Sequence, residues 1–180
     1  MRYVALLRGI NVSGQKKILM KDLRELLSKN ENLQNIKTYI QTGNVIFDSD
    51  LESTSQLSEI IHTYIYKAYN FKVPVITSSK SYWDEIIKGN PYLNDKTIDI
   101  NHVSTTILEK KPTKENIAIL KTMNFYPDTY IISERIIYTV YPNGVGRSKM
   151  TNSVFEKKME TAATSRNWKT MCKIQEFLSS

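Results

Sequence analysis

Over the first 78 residues, short β-branched runs alternate with 3.6-residue apolar periods in an order that few small folds accept. Residues 3–7 (YVALL) form an apolar run suited to a buried strand. Residues 20–29 place Leu23, Leu26 and Leu27 on one side of a helix and Lys21, Arg24 and Lys29 on the other. Residues 36–41 and 45–47 are β-rich, and the Gly43-Asn44 pair between them signals a hairpin. Residues 53–69 repeat Leu57, Ile60, Ile61, Tyr64, Ile65 and Ala68 at helical spacing, with Ser53 and Gln56 at capping-box spacing. Residues 73–77 form a last strand, which Pro74 pushes toward a sheet edge. The order is β-α-β-β-α-β, the ferredoxin-like pattern.

That topology makes a positional prediction. In a split β-α-β unit the first strand and the strand after the helix run parallel. The end of strand one and the following hairpin therefore meet at one edge of the sheet. The loop 8–17 carries Arg8, Gly9, Asn11, Ser13, Gly14, Lys16 and Lys17, and it should lie beside Gln41 and Asn44. Glycines permit close backbone approach there, and Asn11, Gln41 and Asn44 supply paired amide donors and acceptors.

Residues 79–180 read as a second lobe. A short helix over 83–88 ends at Gly89-Asn90-Pro91, and a strand covers 101–108. Thr113 caps a helix carrying Ile117, Leu120 and Met123. Strands at 130–132 and 136–141 follow, so this lobe reads β-α-β-β. The loop 142–149 then leads into a helix near Thr151, and 164–169 reads as a third loop that opens a final helix to about Leu178. The expected fold class is α+β: two ferredoxin-like α+β subdomains, 1–78 and 79–180, packed as one compact unit. No low-complexity linker separates them.

Lysine supplies 19 of the 25 basic residues, so the net charge of +7 is in large part compositional and says little by itself. The six arginines are more selective, and Arg8, Arg147 and Arg166 fall in the Gly/Asn/Ser/Thr-rich loops, where a forked donor suits phosphate or carboxylate. The segment Gly144-Val-Gly146-Arg147-Ser148-Lys149 matches neither the Walker nor the dinucleotide spacing. Thr164, Ser165 and Asn167 are candidate caps for the last helix, where Arg166 could complete an anion site. Trp168 reads as a core anchor beside Met171 and Leu178. His62 reads as a surface residue, and two histidines with no Cys or carboxylate at ligand spacing make no metal site. One cysteine, Cys172, excludes an internal disulfide framework and fits a reducing cytoplasm. No apolar run approaches the ~20 residues of a membrane span, and no signal peptide is visible. These features point to a cytoplasmic protein without a membrane partner.

Four ordered motifs carry a resemblance over essentially the whole chain. LLRGINVSG at 6–14, YIQTGNVIF at 39–47, GRSK at 146–149 and TSRNW at 164–168 resemble the bacterial family known as domain of unknown function 1697. The resemblance implies two α+β subdomains and no particular activity. The family residues that carry over are Arg8, Gly9, Asn11, Gly14, Gly43, Asn44, Arg147, Ser148, Thr164, Arg166, Asn167 and Trp168. Ser13 stands where a second glycine is common, and Thr42 stands where serine is usual.

The functional expectation is a basic cleft that binds an anionic or phosphorylated ligand, a nucleotide or nucleic acid. Its residues would be Arg8, Asn11, Lys16, Lys17, Gln41, Asn44, Arg147, Ser148, Lys149, Thr164, Arg166, Asn167 and Trp168. No cofactor is assigned. Two other readings stay open: a transferase or hydrolase using the same cleft, and an interaction module whose motif residues are structural.

Overall fold

The computed structural model describes residues 1–12 and 14–180, so Ser13 of the first loop lies outside the described residues. The chain divides into two compact units, Met1–Glu85 together with Lys173–Ser180, and Ile86–Cys172.

The first unit contains β1 (Arg2–Leu7), α1 (Met20–Leu27), β2 (Gln34–Tyr39), β3 (Asn44–Asp48), α2 (Thr54–Tyr69) and β4 (Val75–Ser79). Its sheet runs β2-β3-β1-β4, all neighbours antiparallel, in agreement with the ferredoxin-like pattern of elements read from the sequence. Pro74 has no N–H to donate and sits just before β4, which is an edge strand. Alternation along β1 and β3 sends Tyr3, Ala5, Leu7, Val45 and Phe47 to one face, where Leu23 and Leu27 of α1 and Leu57, Ile61 and Ile65 of α2 cover them. Ser53 caps α2 by accepting from Gln56 N, as its spacing indicated. His62 is half-buried rather than a surface residue, because its ring nitrogen Nδ1 lies 2.7 Å from Val73 O. The part of the last helix that belongs to this unit rests Phe177 against Tyr39, with ring centroids 5.6 Å apart.

The second unit contains β5 (Val103–Leu108), α4 (Lys114–Lys121), β6 (Thr129–Ser133), β7 (Ile136–Val140), α5 (Asn152–Met159) and β8 (Ala163–Asn167). Helices α3 (Lys80–Lys88) and α6 (Trp168–Ser179) each follow the last strand of a unit without a break, and each contains one of the unit boundaries. The sheet order is β6-β7-β5-β8, again antiparallel throughout. This lobe is therefore not β-α-β-β but a complete β-α-β-β-α-β. The segment expected to be a third loop, 164–169, is strand β8 running directly into α6.

Register shows how closely the two sheets correspond. Leu7 N donates to Gly43 O and Arg8 N to Pro74 O at the end of β1; Leu108 N donates to Arg135 O and Glu109 N to Ala162 O at the end of β5. In both units the last strand also presents a hydroxyl to the preceding helix. Ser58 Oγ donates to Thr77 Oγ1 at 2.9 Å, and Ser165 Oγ donates to Asn152 Oδ1 at 2.8 Å. The second core gathers Leu108, Ile137 and Tyr141 against Leu120, Phe155 and Met159. Thr113 caps α4 by accepting from Asn116 N, as expected.

Candidate functional site

The first unit brings the loop after β1 and the β2–β3 turn together, as topology required. One side chain does the joining. Asn11 Oδ1 accepts from Ile18 N at 2.9 Å, while its Nδ2 donates to Ile18 O at 2.9 Å and to Gln41 O at 2.8 Å. Both amide donors and one of the two oxygen lone pairs of the carboxamide are thereby used. Asn11 has φ +55, a left-handed conformation that asparagine tolerates better than most residues. Beyond it Asn11 N donates to Lys16 O, and Val12 and Gln15 face each other as an isolated antiparallel bridge. The loop is thus a braced finger.

The turn opposite is equally constrained. Asn44 is fully buried, and its Nδ2 donates to Tyr39 O and Thr42 Oγ1. Gly43 has φ +81, and a Cβ there would lie 2.6 Å from Leu7 Cβ and 2.8 Å from Ile10 Cδ1. Only glycine fits. On the open side of the finger Lys17 and Gln41 are exposed, and nothing lies within 4 Å of where a Cβ would stand at Gly9 or Gly14. Lys16 donates to Lys72 O at 2.7 Å and stands over the Phe71 ring, and Arg8 is half-exposed. So Asn11 and Asn44 are spent on the fold, while Lys17 and Gln41 face solvent.

In the second unit the expected residues separate in the same way. Arg147 and Lys149 are exposed on the turn before α5. Ser148 between them is structural: its Oγ donates to Asp128 Oδ2 at 2.5 Å and accepts from Met150 N at 2.8 Å. Thr164 and Arg166 lie inside β8, with only 9% of Arg166 exposed. Arg166 Nη1 donates to Thr164 Oγ1 and Ser165 O. Asn167 Oδ1 accepts from Thr170 N and caps α6, whose first residue, Trp168, is buried as a core anchor.

A family model described as "Protein of unknown function (DUF1697)" matches residues 1–138. The chain belongs to that family. The DUF1697 match takes in the motifs at 6–14 and 39–47, while those at 146–149 and 164–168 lie beyond it. No curated protein matches the chain. Among solved structures it is similar to the conserved bacterial protein SP0830 from Streptococcus pneumoniae, with a TM-score of 0.68 and 22% identity over 98% of each chain. At that identity the likeness speaks for the fold alone.

Other chemistry in this DUF1697 chain is local. Among the described residues, no group of three or more His, Cys, Asp or Glu side chains could hold a metal ion, and no helix is long and apolar enough to cross a membrane. A groove of about 330 Å³ between α1 and α2 is lined by Leu26, Tyr64, Lys67 and Ala68. It lacks the converging polar groups that orient a small molecule. Arg2 Nε donates to Asp48 Oδ1 at 2.9 Å and holds that carboxyl below the usual range, while burial raises the Tyr141 hydroxyl.

Sequence reasoning missed three residues at the finger. Val12, Leu19 and Ile40 are aliphatic and exposed, at 56%, 68% and 44%. The available signal was that each adjoins a residue the Asn11 amide joins, namely Asn11 itself, Ile18 and Gln41.

Proposed function

We propose that this protein binds the phosphate backbone of nucleic acid through the finger of its first unit. The observation that carries the reading is a braced, open and cationic edge. Between residues 3 and 20 the chain has Arg8, Lys16 and Lys17 and no carboxylate, and between 34 and 47 its one charge is Lys37, while Lys21 at the start of α1 pairs with Glu25. An Asn11 bracket that fixes the loop reduces the ordering entropy a flexible lysine loop would lose on binding. The finger is open beside Gly9 and Gly14, which suits a polymer laid along it better than an enclosed mononucleotide. The exposed pair Arg147 and Lys149 gives the second unit a basic turn of its own, whose contribution is measured separately.

Titration with mononucleotides, single strands and duplexes at several salt concentrations tests the proposal. Nucleic-acid affinity should fall steeply with salt, and Lys17→Ala should lower the slope of log K against log salt by about one. Salt-independent binding, or a slope unchanged by alanine at Arg8, Lys16 and Lys17 together, would refute it.

A further inference from the structure

The three exposed aliphatic residues at the finger need an account that packing does not supply. They are not scattered. One carboxamide, that of Asn11, holds Ile18 and Gln41; Val12 follows Asn11, Leu19 follows Ile18 and Ile40 precedes Gln41, so each adjoins one of its three anchor points. Ile40 is also strained. Its φ is +49, a left-handed conformation that costs a non-glycine residue roughly 1–2 kcal/mol and is unusual for a β-branched one. The turn enforces it, since Leu7 N donates to Gly43 O and Asn44 Nδ2 to Tyr39 O on either side. Asparagine or glycine would sit there without strain, yet the position holds an exposed isoleucine. Strain held against solvent suggests a side chain kept for contact with something else.

The surroundings narrow the partner. The segments carrying the triad, 3–20 and 34–47, hold Arg8, Lys16, Lys17 and Lys37 and no carboxylate, so the partner is anionic and also offers an apolar slot. Unpaired bases are usually bound by stacking on exposed aromatic rings. Here the rings are occupied, because Tyr39 packs on Phe177 and Phe71 lies beneath Lys16. Convex aliphatic side chains among lysines match the chemistry of minor-groove wedges, which enter between base steps while cations hold the flanking phosphates.

Resting on the nucleic-acid reading above, we infer that Val12, Leu19 and Ile40 form a wedge that enters the minor groove of duplex DNA and bends it.

The test uses the full chain and a short DNA duplex carrying a fluorescence donor and acceptor at its ends, with anisotropy for affinity and energy transfer for bending. The variant is Val12→Ser with Leu19→Ser and Ile40→Asn. These exposed changes leave the core intact, and asparagine is the better residue at φ +49. The expected result is duplex binding with increased energy transfer in the parent protein. In the triple variant the transfer should return to the free-DNA value and affinity should fall about tenfold, with the salt slope unchanged. Duplex bound without bending overturns the wedge and leaves phosphate binding standing. So does bending unaffected by the triple change, or preference for single strands or duplex RNA. No binding to any nucleic acid at low salt removes both readings. Binding to phosphatidylglycerol vesicles that the triple change abolishes, without duplex bending, overturns the wedge in favour of a lipid surface.

Discussion

Replacing Asn11 by alanine should loosen the finger and cost a measurable part of the stability of the first unit. The side chain makes three hydrogen bonds, of 2.9, 2.9 and 2.8 Å, to the main chain at Ile18 and Gln41. Each is worth about 0.5–1.5 kcal/mol net, and the one to Gln41 O counts near the low end because it is exposed to water. Their sum is about 2–3 kcal/mol. Alanine at φ +55 adds about 1 kcal/mol, because its Cβ meets the following carbonyl without the local hydrogen bonding that reconciles asparagine to this conformation. The expected total is roughly 3–4 kcal/mol, against an overall stability of about 5–15 kcal/mol. Asn11→Gly separates the two contributions, since glycine loses the same bonds without the backbone cost and should recover about 1 kcal/mol. Trp83 is fully buried in the first unit, so in a Trp168→Phe background its fluorescence during urea unfolding follows that unit. A loss below about 0.5 kcal/mol for Asn11→Ala, or a glycine variant no better than the alanine one, would show that the bracket does not hold the finger.

Three other outcomes follow from the same structure. Gly43→Ala should cost about 3 kcal/mol or more in urea unfolding, since its Cβ would meet Leu7 Cβ at 2.6 Å in a left-handed backbone; a loss under 1 kcal/mol refutes the close approach. The Asp48 carboxyl is held low mainly by the Arg2 hydrogen bond, so the pair stabilises the protein above the unfolded pKa of about 3.9, and that contribution disappears as pH falls through the lower folded value. Asp48→Asn should therefore flatten the stability-versus-pH curve below about pH 4, by less than about 1 kcal/mol for a half-exposed pair, and an unchanged acid limb counts against the assignment. Thr105 Oγ1 is buried without a hydrogen-bond partner, so Thr105→Val should be neutral or stabilise by up to about 1 kcal/mol, read by urea unfolding; a clear loss means that hydroxyl is satisfied.

Apolar period made most of the fold readable. In the first unit each strand and helix was visible as a run or a repeat, because each buries leucine, isoleucine or valine against the opposite layer. Strand β8 was invisible for the converse reason. Its residues Ala163 to Asn167 contain no large apolar side chain, and it is held by partners distant in sequence: Thr164 opposite Ile107, Ser165 bonded to Asn152, Arg166 opposite Thr105. A strand that satisfies its burial with hydroxyls looks like a loop until its partners are known. The clue was β4, whose Val75-Ile-Thr-Ser-Ser79 also mixes hydroxyls into a buried strand and also runs straight into a helix.

The finger shows the same limit at the level of single residues. Topology located the meeting of the 8–17 loop with the β2–β3 turn, but residue type misassigned the roles within it. Asparagines that looked like ligand donors are brackets, since a carboxamide that can close three bonds within the chain does so before it meets a ligand. Ile40 was hidden for a sharper reason. A hydrophobicity pattern counts it as the next residue of a strand reaching Gln41, with its side chain on the sheet. Strand β2 stops at Tyr39, and Ile40, in a left-handed conformation just past it, is exposed. Pattern alone cannot distinguish an isoleucine inside a strand from one just past its end. That one-residue difference turns an expected strand residue into one of three exposed aliphatic residues next to the Asn11 anchor points, and it makes Ile40→Asn informative. A gain in stability together with a loss of DNA bending would mean that the strain at this position is retained for contact.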